Sequence, residues 1–322
     1  MTSNRSTRMQ ELEVADTFIK GVDTFERSND GTDPGYEGQL WLWYDATAGR
    51  LRLQIYSATK GEWTEIGMTD FYLEVAKGNV TGHMSVNKFG RSTNVDSAVP
   101  TDIWDLTTQP IWLAPTAARI HAIVSTSDLD GKTAAPSSVG ARTLRVYGLV
   151  DWDTAQSTED ITLDGTTGVN TASSYVIIHR MKVLTKGSTS ANVGTITATA
   201  ASDSTITAQI NPLEGQTQMA IYGVPSTHTL YLTAVSASLN RAGGASAITD
   251  NRVLVNPEPG DEILNYLTKH TWGGQTVGSS VQPIPFIPPK VFPGPAIVKL
   301  QSEGSANDLD VSAWFDGVVV VN

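Results

Sequence analysis

From Ile120 to Asn240 the chain keeps returning to one kind of segment, a short run of Thr, Val, Ile and Ala closed by Gly, Asp, Ser or Asn. After Ile120 to Ser125 come "RTLRVYGLVD", "EDITL", "SSYVIIHRMKVLT", "GTITATA", "STITAQI", "QMAIYGVP" and "HTLYLTAVSASLN". Side chains branched at Cβ are stiff at χ1 and suit a pleated strand better than a helix. Turn-forming stretches such as "DGTTG" and "KGSTSANVG" separate the runs, which is the spacing of an all-β unit. A parallel sheet would need crossover helices, and no helical periodicity lies between the runs. The expected fold is therefore all-β, an antiparallel, jelly-roll-like β-sandwich.

The flanks differ from this centre and suggest four regions. Residues 1–37 form a polar arm with one brief amphipathic piece, "MQELEVADTFIKGVDTF". Residues 38–75 read as an aromatic β-meander, with alternating Leu51, Leu53 and Ile55 and the turns "DATAG" and "SATKGE". It carries Trp41, Trp43, Tyr44, Tyr56 and Trp63, more aromatic surface than two or three strands can hide, so it is expected to dock on another layer. Residues 76–245 hold the central sandwich, and the stretch from Phe71 to Pro115 that leads into it is expected to give two strands and a long connection. Residues 246–322 are expected to be a proline-rich arm followed by β-strands.

In that last region "PIPFIPPKVFPGP" removes backbone donors and favours an extended path, which makes Pro283, Pro285, Phe286, Pro288, Pro289 and Phe292 interface candidates. The closing run Val318 to Val321 holds only if a sheet accepts it, so Val318 and Val320 join them.

Charge and composition narrow the partners. The net charge is −11, with no run of Lys or Arg, which argues against a nucleic-acid partner because that affinity rests on neutralising phosphates. Without cysteine the chain has no disulfide, thiolate nucleophile or Cys-held zinc. No apolar run approaches the roughly 18–20 residues of a membrane span, and the first residues lack a leader's apolar stretch. Synthesis in a cytoplasm and no membrane insertion are expected. Only 17% of residues are charged, as suits a surface packed into an assembly. No repeat or heptad supports a long fibre shaft.

The residues with chemical potential do not assemble a reaction on paper. His83, His121, His179, His228 and His270 are scattered, and His121 and His179 sit in strand-like runs where bonded sheet histidines are expected. Carboxylates pair in sequence at Asp102 and Asp105, Asp151 and Asp153, Glu159 and Asp160, and Asp308 and Asp310, but most such pairs are solvated turn residues. "SDLDGK" and "ANDLDVS" alternate oxygen ligands as a calcium loop does, yet lack the distal Glu, and Asx-turns are the favoured reading. No catalytic residue, cofactor or metal is expected, and the chain is not expected to be an enzyme. Trp104, Trp112, Trp152 and Trp272 lie in loops or at strand ends, where they either fill the core or present faces for an interface or for glycan stacking.

Several of these stretches carry a resemblance. "EGQLWLWYDATAGRLRLQIYSATKGEWTEIG" resembles short aromatic meanders of tail-fibre and appendage proteins of tailed bacteriophages. "GNVTGHMSVNKFGRSTNVDSAVPTDIWDL" and "GARTLRVYGLVDWDTAQSTEDITLDGTTGVNTASSYVIIHRMKVLTKG" are similar to a domain of virion structural proteins of podovirus-type and marine phages, so the likeness spans about residues 38–240. It implies a virion component without catalysis: a tail fibre, appendage or adaptor, or alternatively a capsid decoration or head-fibre protein, or a carbohydrate-binding adhesin. Its implied partners are its own copies in a homotrimer, other tail or capsid proteins, and a host surface glycan, and its implied location is the virion.

Overall fold

The computed structural model describes residues 40–45, 50–57, 61–65, 71–131, 139–189, 191–240, 246–260, 265–275 and 283–322. The expected arm over 1–37 lies outside the described residues. The chain forms two compact units, residues 1–84 and 85–322.

In the first unit β1 (Leu40–Asp45), β2 (Arg50–Ser57) and β3 (Glu62–Glu65) make the expected antiparallel meander, with Leu40 opposite Ile55 and Tyr56 opposite Trp63. The side chains of Trp41, Trp43, Tyr44, Tyr56 and Trp63 lie outside the described residues. The expected strand after the meander is instead a short helix, α1 (Phe71–Ala76). Glu74, buried on it, accepts hydrogen bonds from Lys77 Nζ at 2.8 Å and from Asn79 Nδ2. Gly78, at φ +75°, then supplies the left-handed residue that ends such a helix.

The second unit is built from strands throughout. Its first sandwich uses β4 (His83–Val95), β5 (Thr101–Asp102), β13 (Ile221–Val224), β14 (His228–Asn240), β15 (Ile248–Asn256), β16 (Leu267–Gln275), β17 (Ile284–Pro293), β18 (Ala296–Gly304) and β19 (Leu309–Val321). One layer runs β17-β14-β19-β4; the other runs β13-β18-β15-β16, with β5 added beside β18. Alternate residues point inward, as period two requires: Val311, Ala313 and Phe315 from β19 meet Val253 and Val255 of β15 and Val298 and Leu300 of β18 in one core. Each such aliphatic side chain contributes about 1.5–3 kcal/mol on burial.

The residues between β5 and β13 form a second sandwich, inserted into the first. Its layers are β10-β7-β8 and β12-β11-β6-β9, from β6 (His121–Ser125), β7 (Ala141–Leu149), β8 (Ser157–Thr162), β9 (Val169–Asn170), β10 (Ile177–Lys186), β11 (Ile196–Ala200) and β12 (Ile206–Ile210). Leu144, Val146, Ile178, Ile196 and Ile210 fill its core, and Ile221 and Ile297 join it from the neighbouring sheet. Strands β13 and β18 therefore serve both cores: Tyr222 and Val298 face one, Ile221 and Ile297 the other. Gly90 marks the crossing point, because a Cβ there would collide with the Ile103 carbonyl and the Ala220 amide on the two connections to the insertion.

This nesting corrects the expected boundaries. No division falls at residue 245, since β15 to β19 supply both layers of a sandwich that also needs β4, β13 and β14. The proline-rich segment is not a free arm: β17 pairs with β14, Leu230 opposite Phe292 and Val235 opposite Ile284. The terminal run is not an open edge either. Val318 to Val321 lie opposite Tyr231 to His228, and β4 flanks β19 on its other side.

Candidate functional site

The aromatic residues fall into two groups. Trp104 and Trp112 are 1% and 0% exposed, with their indole N–H groups donating to the carbonyls of Gln109 at 3.0 Å and Thr207 at 2.8 Å. They are core residues of the inserted sandwich and cannot stack on a glycan, which corrects that reading for both. Trp152 and Trp272 are half-buried against the two cores. Trp272 stacks on His270 at 5.9 Å, His270 meets the Phe286 ring edge-on at 4.9 Å, and Lys290 Nζ lies 4.9 Å from that ring. Trp112→Ala should accordingly cost about 3–5 kcal/mol of stability, read as a lowered urea midpoint. A loss of glycan binding with unchanged stability would contradict its placement.

The remaining interface candidates split in the same way. Phe292 and Val318 are each 6% exposed within the chain's own core, which removes them, and Val320 is half-buried. Pro283, Pro285 and Pro288 are exposed, and Phe286 and Pro289 are partly so. Between Lys290 and Pro285 the register with β14 shifts, so residues 286–289 bulge away from the ladder and leave Ile287 91% exposed. Proline cannot donate to a ladder, which confines such a segment to an edge strand.

A polar seam joins the two sandwiches, and it was not foreseen from the sequence. Asp102, wholly buried on β5, accepts from Lys299 Nζ at 2.6 Å, Gln301 Nε2 at 3.0 Å and the Trp112 N–H at 2.8 Å. Burial pushes its carboxyl up, and the Lys299 ammonium and the two hydrogen bonds pull it back. Lys299 also lies 3.9 Å from the centre of the Tyr266 ring. A second contact between the two sandwiches is made by Lys88 of β4, which reaches the His179 carbonyl of β10. Burial and then the Arg180 charge bring the Lys88 amine down to about 7.

A separate pocket of about 200 Å³ is lined by Arg91, Thr93, Asp105, Gln209, Asn211 and Glu214. Asp105 stands on the outgoing connection, and its Oδ2 accepts the Gln218 N–H of the returning one at 2.8 Å, with Asn211 Nδ2 on Oδ1 at 3.2 Å. Arg91 closes the rim in a two-pronged pair with Asp310 at 2.6 and 2.8 Å.

Burial, and secondarily the Glu214 carboxylate, push Asp105 up to about 8 against the pull of the Gln218 N–H. The sign follows: a carboxyl raised on folding contributes stability that is full below about pH 4 and is lost as pH rises through about 8. Asp105→Asn should flatten the fall in stability between pH 5 and 8 relative to wild type. Parallel pH profiles in urea titrations would contradict this.

The other carboxylate pairs are engaged by their own chain. Asp151 caps a turn by accepting the N–H groups of Asp153 and Thr154, Glu159 accepts those of Ala172 and Ser173, and Asp160 pairs with Arg145. In "SDLDGK", Asp130 is fully buried. Its Oδ1 accepts the Ala141 and Val193 N–H groups and its Oδ2 the Gly194 N–H, each at 2.8 Å, with Ser125 Oγ on Oδ2 at 2.7 Å. Both oxygens are spent on N–H groups 11 to 64 positions away and on Ser125, so this aspartate ties distant turns together instead of closing the local Asx-turn that the sequence suggested. Among the described residues no three His, Asp or Glu side chains gather closely enough to hold a metal.

His121 and His179 are buried and each bonds through one ring nitrogen, to the Arg119 carbonyl at 2.9 Å and to Gln156 Oε1 at 2.7 Å. Their other nitrogens are buried without a partner, so the expectation of bonded sheet histidines is half met. Burial keeps both rings neutral, His121 down to about 4.

No family model matches the chain, and no curated protein does. Among solved structures, T=1 particles derived from infectious bursal virus are similar at 11% identity over 75% of this chain and 70% of that one, with a TM-score of 0.18. At that TM-score the likeness carries no argument.

Proposed function

We propose that this chain is a structural component of a tailed-phage virion, a tail fibre, appendage or adaptor that assembles with its own copies as a homotrimer and attaches to other virion proteins. The observation that carries this reading is how the buried polar groups are used. Asp102, Lys299, Asp105 and Asp130 hold strands and connections of two interlocked sandwiches together, which is what a cysteine-free building block needs. The sequence resemblance over residues 38–240 supplies the virion assignment, and the closed symmetry of most homo-oligomers favours a ring of identical contacts.

The edge made by β17 is the assembly surface in this proposal, through Pro283, Pro285, Phe286, Pro288 and Pro289, with Ile287 as the exposed apolar side chain. Light scattering of the purified chain tests it: a mass three times the 34.4 kDa of one chain is expected, and loss of that mass in Ile287→Asp. A monomer at micromolar concentration, or a variant that keeps the full mass, would remove the trimer. Deleting residues 283–322 is no test of assembly, because it removes β17, β18 and β19 from the fold.

Capsid decoration is the alternative placement on the particle. A glycan-binding adhesin is the second reading, favoured by the ledge of Trp272, His270 and Phe286 beside Lys290.

A further inference from the structure

Strand β10 carries a feature that the acidic composition conceals. Arg180, Lys182 and Lys186 lie along one groove of about 450 Å³, with Leu184 and Leu213 between and beside them and Glu214 as its acidic residue. Three cations against one carboxylate give this groove a local charge of about +2 in a chain whose net charge is −11.

Arg180 is held in place without a carboxylate: its guanidinium donates to Gln216 Oε1 at 2.7 Å and lies 5.8 Å from the centre of the Tyr147 ring. Lys186 donates to the Thr189 carbonyl at 2.7 Å, so its charge is fixed but not neutralised. Lys182 is exposed and has no ion-pair partner among the described residues. Arg145, opposite Lys182 on β7, is by contrast already neutralised by Asp160. After burial, the Arg180 charge is the second cause that lowers the Lys88 amine to about 7.

The spacing selects among anions. At about 3.3 Å per residue, Arg180 and Lys182 sit roughly 7 Å apart along the strand, and Lys186 lies further along, beyond two shifts of register between Val183 and Lys186. Leu184, 39% exposed, and Leu213, 65% exposed, place apolar surface between those charges. A ligand fitted to this groove is extended, carries several separated negative charges and offers apolar faces in between. A nucleic-acid duplex carries about one charge per 1.7 Å, far closer than the cations of this groove, which suit a more sparsely charged ligand.

We propose that the groove along β10 is a binding site for an acidic polysaccharide bearing carboxylates on its sugar rings, with Arg180, Lys182 and Lys186 as the carboxylate contacts and Leu184 and Leu213 beneath the rings. This site rests on its own geometry and stands whether or not the virion reading holds. It is also distinct from the Trp272 ledge, which offers aromatic faces and a single cation.

The test is isothermal titration of the full chain at low ionic strength with a short oligogalacturonate, its fully methyl-esterified counterpart and a single-stranded oligonucleotide of similar length. Binding of the free acid is expected to weaken with added salt and to vanish on esterification. The Lys182→Glu/Lys186→Glu double variant should lower affinity by on the order of tenfold or more. Both lysines are exposed, so the melting curve should be unchanged; if it shifts, Lys182→Ala/Lys186→Ala replaces the reversal and should lower affinity in the same direction. Absence of binding, equal binding of the esterified oligomer, full affinity in the folded variants, or tighter binding of the oligonucleotide would each overturn the proposal.

Discussion

Asp102→Ala is expected to destabilise the 85–322 unit by about 3–5 kcal/mol, the cost of leaving one partner of a buried pair without the other. Lys299 is only 2% exposed and would keep an ammonium whose nearest compensation is the face of Tyr266. The Trp112 N–H and the Gln301 amide would lose their acceptor at the same time. Removing both charges, as in Asp102→Leu/Lys299→Met, should recover much of the loss, because well-packed apolar replacements of buried pairs are often neutral. Urea midpoints of the wild type, both single variants and the double variant close the cycle. A single variant within about 0.5 kcal/mol of wild type would mean that the seam does not hold the two sandwiches together.

Asp130→Asn is the second large effect, although the change is nearly isosteric. The carboxylate accepts from Ala141 and Val193 on one oxygen and from Gly194 and Ser125 on the other. An amide has one acceptor, so whichever way Asn turns, its NH2 faces buried donors. Each buried N–H left unsatisfied costs about 1–3 kcal/mol, and the expected total is about 2–5 kcal/mol. Circular dichroism melts of the variant would show it. A calcium site at this turn would behave differently: calcium would raise the melting temperature of the wild type and not of the variant. No calcium response is expected.

The strands were legible because their pattern is local. Runs such as Ile196 to Ala200 and Ile206 to Ile210 announce themselves by Cβ-branching and by the turn between them, and the alternation of the meander gives strands that pair as expected. The nesting was not legible, because it depends on pairings far apart in sequence. Val318 to Val321 lie beside His228 to Tyr231, and Asp102 meets Lys299 across 197 positions. A run of prolines normally signals a free extended segment; here the residues alternating with them, Ile284 and Phe292, lie opposite β14 residues, so the segment became an edge strand.

The candidate site was obscured for related reasons. Trp104 and Trp112 sit in irregular sequence that looks surface-exposed, yet the insertion folds around them. The cations of β10 appear in the sequence as "HRMKVLTK", too sparse to count as a basic cluster, and only the folded strand, with its shifts of register after Val183, sets Lys182 and Lys186 in one groove with Arg180.

Quantitative mass spectrometry of gradient-purified particles, with the infected-cell lysate as reference, tests the virion assignment most directly. The chain is expected in the particles after a high-salt wash, at a copy number divisible by three relative to a component of known symmetry. Abundance in the lysate together with absence from washed particles would contradict it.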